Sequence, residues 1–151
     1  MSEFPFNPSR SEEAQQQLET IVTEGIPFHK IATLTSAAGA TPVSLIGDAE
    51  VDDGKKVYVQ GFILRVDGAT VWAVAANVKI QDTDDTPVDF VTDLVADLTA
   101  NAIVMHDGAN VTLEDAMSKG SGGTAGRGLQ VVADADGTGS DLIVQVWGVI
   151  K

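Results

Sequence analysis

The sequence predicts a mainly β, antiparallel β-sandwich or jelly-roll-like domain, preceded by an N-terminal arm and one short amphipathic helix. From residue 28 onward, short apolar and β-branched stretches recur at roughly 8–15 residue spacing between Gly and Asp turns, which is typical of all-β domains. The chain lacks the strand–helix alternation of a parallel α/β sheet. Residues 1–27 lack this strand pattern, so we divide the chain into an arm and helix (1–27) and a sandwich or barrel domain (28–151).

The composition fits one self-sufficient domain and restricts its partners. The 151 residues include 44% hydrophobic but only 5% aromatic residues, so the core must consist mostly of Val, Ile, Leu and Ala. There is no cysteine, which excludes disulfides, thiolate metal sites and cysteine nucleophiles. The formal net charge of −13 repels phosphate backbones and anionic membranes, so neither nucleic acid nor membrane is an expected partner. The same charge keeps the protein soluble at high concentration.

The first 27 residues predict an extended arm and then a helix over residues 11–24. Two prolines lie within the first ten residues, and Ser9 and Glu12 have the spacing of a capping box. Gly25 supplies the end of the helix. The apolar stripe of this helix consists of Ala14, Leu18, Ile21 and Val22. Because a lone helix of this length is marginal in water, the stripe must dock on this domain, on a sister subunit or on another protein.

The first half of the domain predicts a series of strands. Asp67-Gly68 is the strongest hairpin signal in the chain, and Gly61 within a strand indicates a bulge. The predicted strands are 31–35, 42–46, 55–66, 70–74 and 78–80. The predicted core positions of the third strand are Val57, Val59, Phe62 and Ile63.

The second half mixes strands with one short helix and a glycine-rich segment. Residues 88–98 fit both a strand and a helix, and we assign them to a strand because their neighbours are strands. Thr112 can cap a helix over residues 113–119 that Gly120 ends. Residues 120–128 have the composition of a flexible loop. Further strands are predicted at 102–105, 129–133 and 142–150.

The sequence offers no convincing catalytic group. The chain has two histidines, and the set His106, Asp107 and Ser118 lacks the context of a nucleophile elbow or an oxyanion hole. Gly123 and Gly128 have the spacing of a phosphate-binding loop, but the lysine that should follow is missing. We therefore predict no catalytic residue, no cofactor and no enzymatic activity.

Two other kinds of site fit the sequence less well than structural roles do. Asp82, Asp84 and Asp85 could contact calcium, but they offer fewer oxygen ligands than calcium takes, so solvated turns fit them better. Trp72 and Trp147 are expected in the core, or else as anchors of an interface. No metal site is predicted.

Four blocks of the chain together resemble small structural proteins of tailed bacteriophages that decorate or cement the icosahedral head. The blocks are 56–72, 78–83, 122–129 and 137–150, so the resemblance covers roughly residues 30–151 and leaves the arm and helix outside. It implies a β-sandwich that is often a homotrimer, binds the major capsid protein where capsomers meet and has no enzymatic activity. The protein would then be synthesised in the host cytoplasm and lie on the virion surface, in line with the lack of a visible signal peptide or membrane-spanning stretch.

The contacts that such a protein makes are expected in its arm and helix. We predict capsid or inter-subunit contacts for Phe4, Phe6, Leu18, Ile21 and Val22, while the alternative is that these side chains cover the chain's own core. A second hypothesis is a fibre-associated or glycan-binding adhesion module. Such a module needs surface aromatic residues, and the chain has one Tyr and two Trp. A small hydrolase or isomerase is a third and weaker hypothesis.

Overall fold

The computed structural model describes residues 12–16, 25–73 and 77–151. Residues 12–16 are helical, and the described part of the domain contains nine strands and one short α-helix, Asp115–Ser118. In chain order the strands are β1 (Ile26–Leu34), β2 (Val43–Ile46), β3 (Val57–Ala73), β4 (Asn77–Asp82), β5 (Asp89–Leu94), β6 (Ile103–Val104), β7 (Val111–Leu113), β8 (Leu129–Ala133) and β9 (Thr138–Ile150).

The strands form two antiparallel sheets. One sheet has four strands in the order β1-β9-β3-β6, and the other has five in the order β2-β8-β4-β5-β7. The predicted mainly β, antiparallel, sandwich-like domain is therefore confirmed. Of the helix predicted over residues 11–24, residues 12–16 are described and are helical, and the other residues lie outside the described ranges.

The core lies between the two sheets. Along β9, Leu142, Val144 and Val146 are completely buried and alternate with more exposed residues, as expected when every second side chain of a strand points inward. Trp72 is also completely buried, which confirms its assignment to the core. The largest fully buried side chains include Trp72, Phe62, Phe90, Leu34, Ile46, Leu64, Ile80, Leu98, Leu129 and Leu142.

The bulge expected at Gly61 is present, and it corrects one predicted core position. The pairing of β3 with β9 shifts register between Val59 and Gly61. Since one extra residue moves the following side chains to the other face, Phe62 and Leu64 point into the core. Ile63 is therefore only half-buried, and its predicted place in the core is wrong.

The predicted hairpin at Asp67-Gly68 is wrong. β3 continues through these residues to Ala73 and pairs with β9 on both sides of an irregularity. Before the irregularity Asp67 lies opposite Asp141, and after it Trp72 lies opposite Gly139. The residues between these two pairs bulge out of the ladder. Because β3 continues along β9, Trp72 is buried in the core. This long-range packing overrides the local turn signal.

The glycine-rich segment 120–128 is held by hydrogen bonds, so its interpretation as a flexible loop is wrong. The Gly123 amide donates to the Val57 carbonyl (2.9 Å), and the Thr124 amide donates to the Asp82 carboxylate (2.7 Å). Asp82 is completely buried at the end of β4 and accepts two further backbone amides. Its oxygens are therefore engaged by backbone amides, and the prediction that Asp82 lies in a solvated turn is wrong.

Two elements around β7 differ from expectation in detail. β5 confirms the strand assignment for Asp89–Leu94, after which one 3₁₀ turn follows. Thr112 does not cap the short helix, because it lies within β7 opposite Thr92, and Glu114 takes the N-cap position. Gly120, with a φ of +67°, follows the helix as expected.

Candidate binding surface

The outer surface of the four-stranded sheet is an apolar face. We use this name for the outward side chains of Ile31, Ile63, Ile103, Ile143 and Trp147. The strand register brings them together. Ile31 of β1 and Ile63 of β3 lie on either side of Gln145 of β9. In the next outward row, Arg65 of β3 is paired with Ile143 on one side and with Ile103 on the other. Ile31 is 59% exposed and Ile103 is 60% exposed. Because large aliphatic side chains are exposed together on one sheet face, we treat this surface as the candidate binding surface.

The apolar face arises because β9, an inner strand of this sheet, carries Ile143 and Trp147 at outward positions as well as apolar residues at its inward ones. In β9, Leu142 and Val144 point into the core, and the intervening Ile143 must point outward. Trp147 follows Val146 in the same way. A sheet with one solvated face normally alternates apolar and polar residues, so an apolar outer position needs a further explanation.

Trp147 lies at one end of this face and packs over Gly61. The two residues are paired across β3 and β9, and a Cβ atom on Gly61 would lie 2.2 Å from Cζ2 of the indole. The indole ring lies between two imidazoles, with centroid distances of 6.4 Å to His29 and 6.2 Å to His106. His106 is itself held by a hydrogen bond to Nε2 from the Phe62 amide (3.3 Å). The glycine thus makes room for a half-exposed aromatic row.

The apolar face contains no acidic side chain. The chain has 22 Asp and Glu residues, yet the outward positions of the sheet from Pro27 to Arg65 carry none. The first carboxylates appear at one end, where Asp67 lies opposite Asp141. Arg65 contacts Asp67 at 3.3 Å. The face is therefore a nearly uncharged patch on a strongly acidic protein.

The outer surface of the five-stranded sheet is mostly polar, although Leu94 is 44% exposed at its end and Val132 lies opposite Lys79. Lys79 forms an ion pair with Asp89 (3.1 Å), and the hydrogen bond from Lys79 to this carboxylate raises the pKa of the lysine. The Thr92 hydroxyl donates to the Glu114 carboxylate (3.2 Å). Gln130 lies on the same surface, opposite Ser44. The polar side chains of this surface thus pair with one another.

One buried carboxyl lies on the inner side of the five-stranded sheet. Asp93 is completely buried between Val78 and Val111, and neither of its oxygens meets a hydrogen-bond donor among the described residues. Burial raises the pKa of Asp93 to about 7, and the neighbouring Asp97 carboxyl adds to this rise. Burial also raises the pKa of Asp97, but hydrogen bonds from Asn110 outweigh it and leave this pKa below its usual value.

The described part of the chain contains no group of three His, Asp or Glu side chains placed to hold a metal ion. His106 accepts its hydrogen bond from the Phe62 amide, and within the same residues no hydrogen bond joins it to Asp107 or Ser118. In the described ranges, no helix has the length and apolar character needed to cross a membrane.

The residues predicted from the sequence as contacts lie outside the described residues: Phe4, Phe6, Leu18, Ile21 and Val22. The apolar face was not predicted. Its signal is visible in the sequence as a run with apolar residues at successive positions, such as Leu142-Ile143-Val144. Such a run fits a strand buried on both faces, and only the pairing of the strands reveals that one of these faces is open.

Comparison with known proteins adds no relative. No protein-family model matches the chain, and the search of curated proteins finds no significant similarity.

Proposed function

We propose that this protein decorates and stabilises the icosahedral head of a tailed bacteriophage by binding the major capsid protein. It acts as a homotrimer where capsomers meet, is synthesised in the host cytoplasm and lies on the virion surface. The observation that supports this function best is the apolar face, whose outward positions between Pro27 and Arg65 carry no carboxylate. The resemblance of residues 30–151 to decoration proteins supplies the identity of the partner.

The chemistry of the apolar face suits a protein partner. An open sheet surface encloses little of a small molecule, whereas a protein surface can cover the exposed Ile31 and Ile103 and the half-buried Ile63 and Ile143 at once. Each square ångström of apolar surface removed from water contributes about 25 cal/mol. The acidic remainder of the molecule keeps unassembled copies apart and leaves this patch as the surface on which contact is least repelled.

The arm supplies a second set of contacts in this proposal. Phe4 and Phe6 lie in a short segment with two prolines, which favours an extended chain that can reach a neighbouring subunit. The remaining predicted contacts are Leu18, Ile21 and Val22. Removal of residues 1–25 is expected to leave a folded domain with reduced affinity for heads. Full affinity after this removal would show that the arm makes no contact.

The direct test uses heads of the parent phage assembled without this protein. The purified full chain is mixed with these heads, and co-sedimentation measures how many copies are retained per capsomer. We expect saturable binding with a fixed stoichiometry, and electron microscopy should locate density between capsomers. Heads that never retain the chain would contradict the proposal, as would reproducible turnover of a small substrate by the chain.

A glycan-binding adhesion module is the second candidate, and Trp147 is the observation that favours it. A half-exposed indole flanked by His29 and His106 resembles the aromatic platforms on which sugar rings stack. A glycan array with the purified chain separates the two functions. A specific glycan signal that Trp147→Ala removes, together with no binding to heads, would replace the capsid proposal.

A further inference from the structure

The chain contains four Asp-Gly pairs, and the fold holds them to different degrees: Asp53-Gly54, Asp67-Gly68, Asp107-Gly108 and Asp136-Gly137. An aspartate that precedes glycine can convert to isoaspartate, because no Cβ atom hinders the glycine nitrogen when it approaches the aspartate carboxyl. The reaction needs a chain segment that is accessible and free to change its backbone conformation. The fold therefore decides which of the four pairs reacts.

Three of the pairs are restrained by the backbone around them. The Gly108 amide donates to the Met105 carbonyl (3.0 Å), and the Gly137 amide donates to the Ser36 carbonyl (2.8 Å). Because the nitrogen must lose this proton when it attacks the carboxyl, each of these hydrogen bonds has to break first. The third pair, Asp67-Gly68, lies within β3, and its aspartate is held in the ladder with β9. Reaction at these pairs therefore requires local unfolding.

Asp53-Gly54 lies instead in an exposed turn between β2 and β3. The turn is closed by one hydrogen bond, from the Lys55 amide to the Asp52 carbonyl (2.9 Å). Gly54 has a φ of +81°, a left-handed conformation that glycine adopts readily. Among the described residues the Gly54 amide meets no acceptor, and a Cβ atom on Gly54 would find no heavy atom within 4 Å. This pair is therefore the least restrained of the four.

We propose that Asp53 is a modification site, at which the folded protein converts aspartate to isoaspartate without an enzyme. The Gly54 nitrogen attacks the side-chain carbonyl carbon of Asp53, and the amide proton leaves with the carboxyl hydroxyl as water. The product is a cyclic succinimide. Water then cleaves the bond between the nitrogen and the main-chain carbonyl carbon, which leaves a free α-carboxylate and routes the backbone through the side chain. Cleavage of the other carbon–nitrogen bond restores aspartate, so water is the one co-reactant.

The modification should loosen part of the glycine-rich segment 120–128. Isoaspartate adds one methylene group to the backbone, so the hydrogen bond that closes the turn no longer fits. The turn is tied to the segment because the Gly126 amide donates to the Lys55 carbonyl (2.8 Å). Gly126 should therefore be released, whereas the Gly123 and Thr124 amides keep acceptors outside the turn. This inference does not depend on the capsid function, and its test needs no head.

Peptide mapping of the full chain after prolonged storage tests the proposal. Folded protein is kept under physiological conditions for several weeks, digested, and analysed by mass spectrometry with electron-transfer fragmentation, which distinguishes isoaspartate from aspartate. We expect at least about fivefold more isoaspartate at Asp53 than at Asp67, Asp107 or Asp136, since only the first lies in an unrestrained turn. In guanidinium chloride the four should react at similar rates. Equal amounts at the four positions of the folded chain, or the same preference for Asp53 in guanidinium chloride, would overturn the proposal.

Asp53→Glu is the matched variant for a second measurement. Glutamate keeps the charge, but its longer side chain has to close a larger ring, which forms far more slowly. Hydrogen exchange at the Gly126 amide of the unmodified chain should become faster in step with the isoaspartate content, while exchange at the Gly123 amide stays constant. The stored variant should show neither isoaspartate at position 53 nor faster exchange. Equal changes at Gly126 in the two stored proteins would contradict the proposal.

Discussion

The two sheets resemble each other on the inside and differ on the outside. Both inner faces are built from completely buried aliphatic residues, such as Leu142 and Val144 in one sheet and Ile80 and Val131 in the other. The outer face of the five-stranded sheet is occupied by polar pairs such as Lys79 with Asp89. The outer face of the four-stranded sheet instead exposes Ile31 and Ile103, with Ile63, Ile143 and Trp147 half-buried beside them. The core accounts for the fold, whereas the apolar outer face of the four-stranded sheet takes no part in that core.

Substitution of the two tryptophans should distinguish the core from the apolar face, and Trp72→Ala should have the largest effect on stability of all the substitutions considered. Trp72 is completely buried and Trp147 is half-buried on the surface. Trp72→Ala should lower the free energy of unfolding by about 3–5 kcal/mol because it leaves a large cavity. Trp147→Ala should cost about 1–2 kcal/mol, since it removes less burial. Urea denaturation measures both, and equal losses would contradict the distinction.

The buried carboxyl of Asp93 should make stability fall as pH rises. In the unfolded chain this group ionises near its ordinary pKa of 3.8, whereas in the folded protein it stays protonated up to about pH 7. The folded state therefore binds more protons at this group between these values. The contribution of Asp93 to stability is fully present below about pH 4 and is lost as pH rises toward 7, by at most about 1.4 kcal/mol per pH unit.

Asp93→Asn removes this titration while keeping the shape of the side chain. Between pH 5 and pH 8 the unmodified chain should lose about 2–3 kcal/mol more than the variant, measured by urea denaturation at each pH. Asp97→Asn, which removes the neighbouring charge, should weaken the same dependence, since Asp97 contributes to the raised pKa. Identical pH profiles for the unmodified chain and Asp93→Asn would show that Asp93 is ionised throughout.

The smallest effect is expected on the polar outer face. Asp89→Asn breaks the ion pair with Lys79, whose two side chains are about one-third exposed. An ion pair of this kind contributes about 0–1 kcal/mol, and salt screens it. Thermal unfolding at low and high salt should show a difference from the unmodified chain only at low salt. A loss above about 2 kcal/mol would mean that the polar face has a structural role like that of the core.

Local patterns predicted most of the strands but not how they pair. The mainly β class, the bulge at Gly61 and the strand character of Asp89–Leu94 follow from period-two patterns and glycine placement. The hairpin at Asp67-Gly68 failed because the pairing of β3 with β9 joins residues far apart in sequence, and no local signal encodes it. The same long-range pairing turned Ile63 outward after the bulge.

The candidate site was harder to predict than the fold. The glycine-rich segment 120–128 has the composition of a flexible loop, but the buried carboxylate of Asp82 orders it from 42 residues away in sequence. The apolar face depends on which surface of the sheet remains open, which composition does not reveal. Only the contact residues in the arm came from the sequence, and the structure does not describe them.

The central claim is that the apolar face binds the head lattice, and a pair of matched charge substitutions tests it. Ile31→Glu lies on β1, the edge strand of the four-stranded sheet, and Thr112→Glu lies on β7, the edge strand of the other sheet. Both positions are exposed, so neither variant should change the melting temperature by more than about 2 °C. In co-sedimentation with heads, Ile31→Glu should reduce affinity at least about tenfold, while Thr112→Glu should bind like the unmodified chain. Unchanged binding of Ile31→Glu, or an equal loss in both variants, would contradict the account.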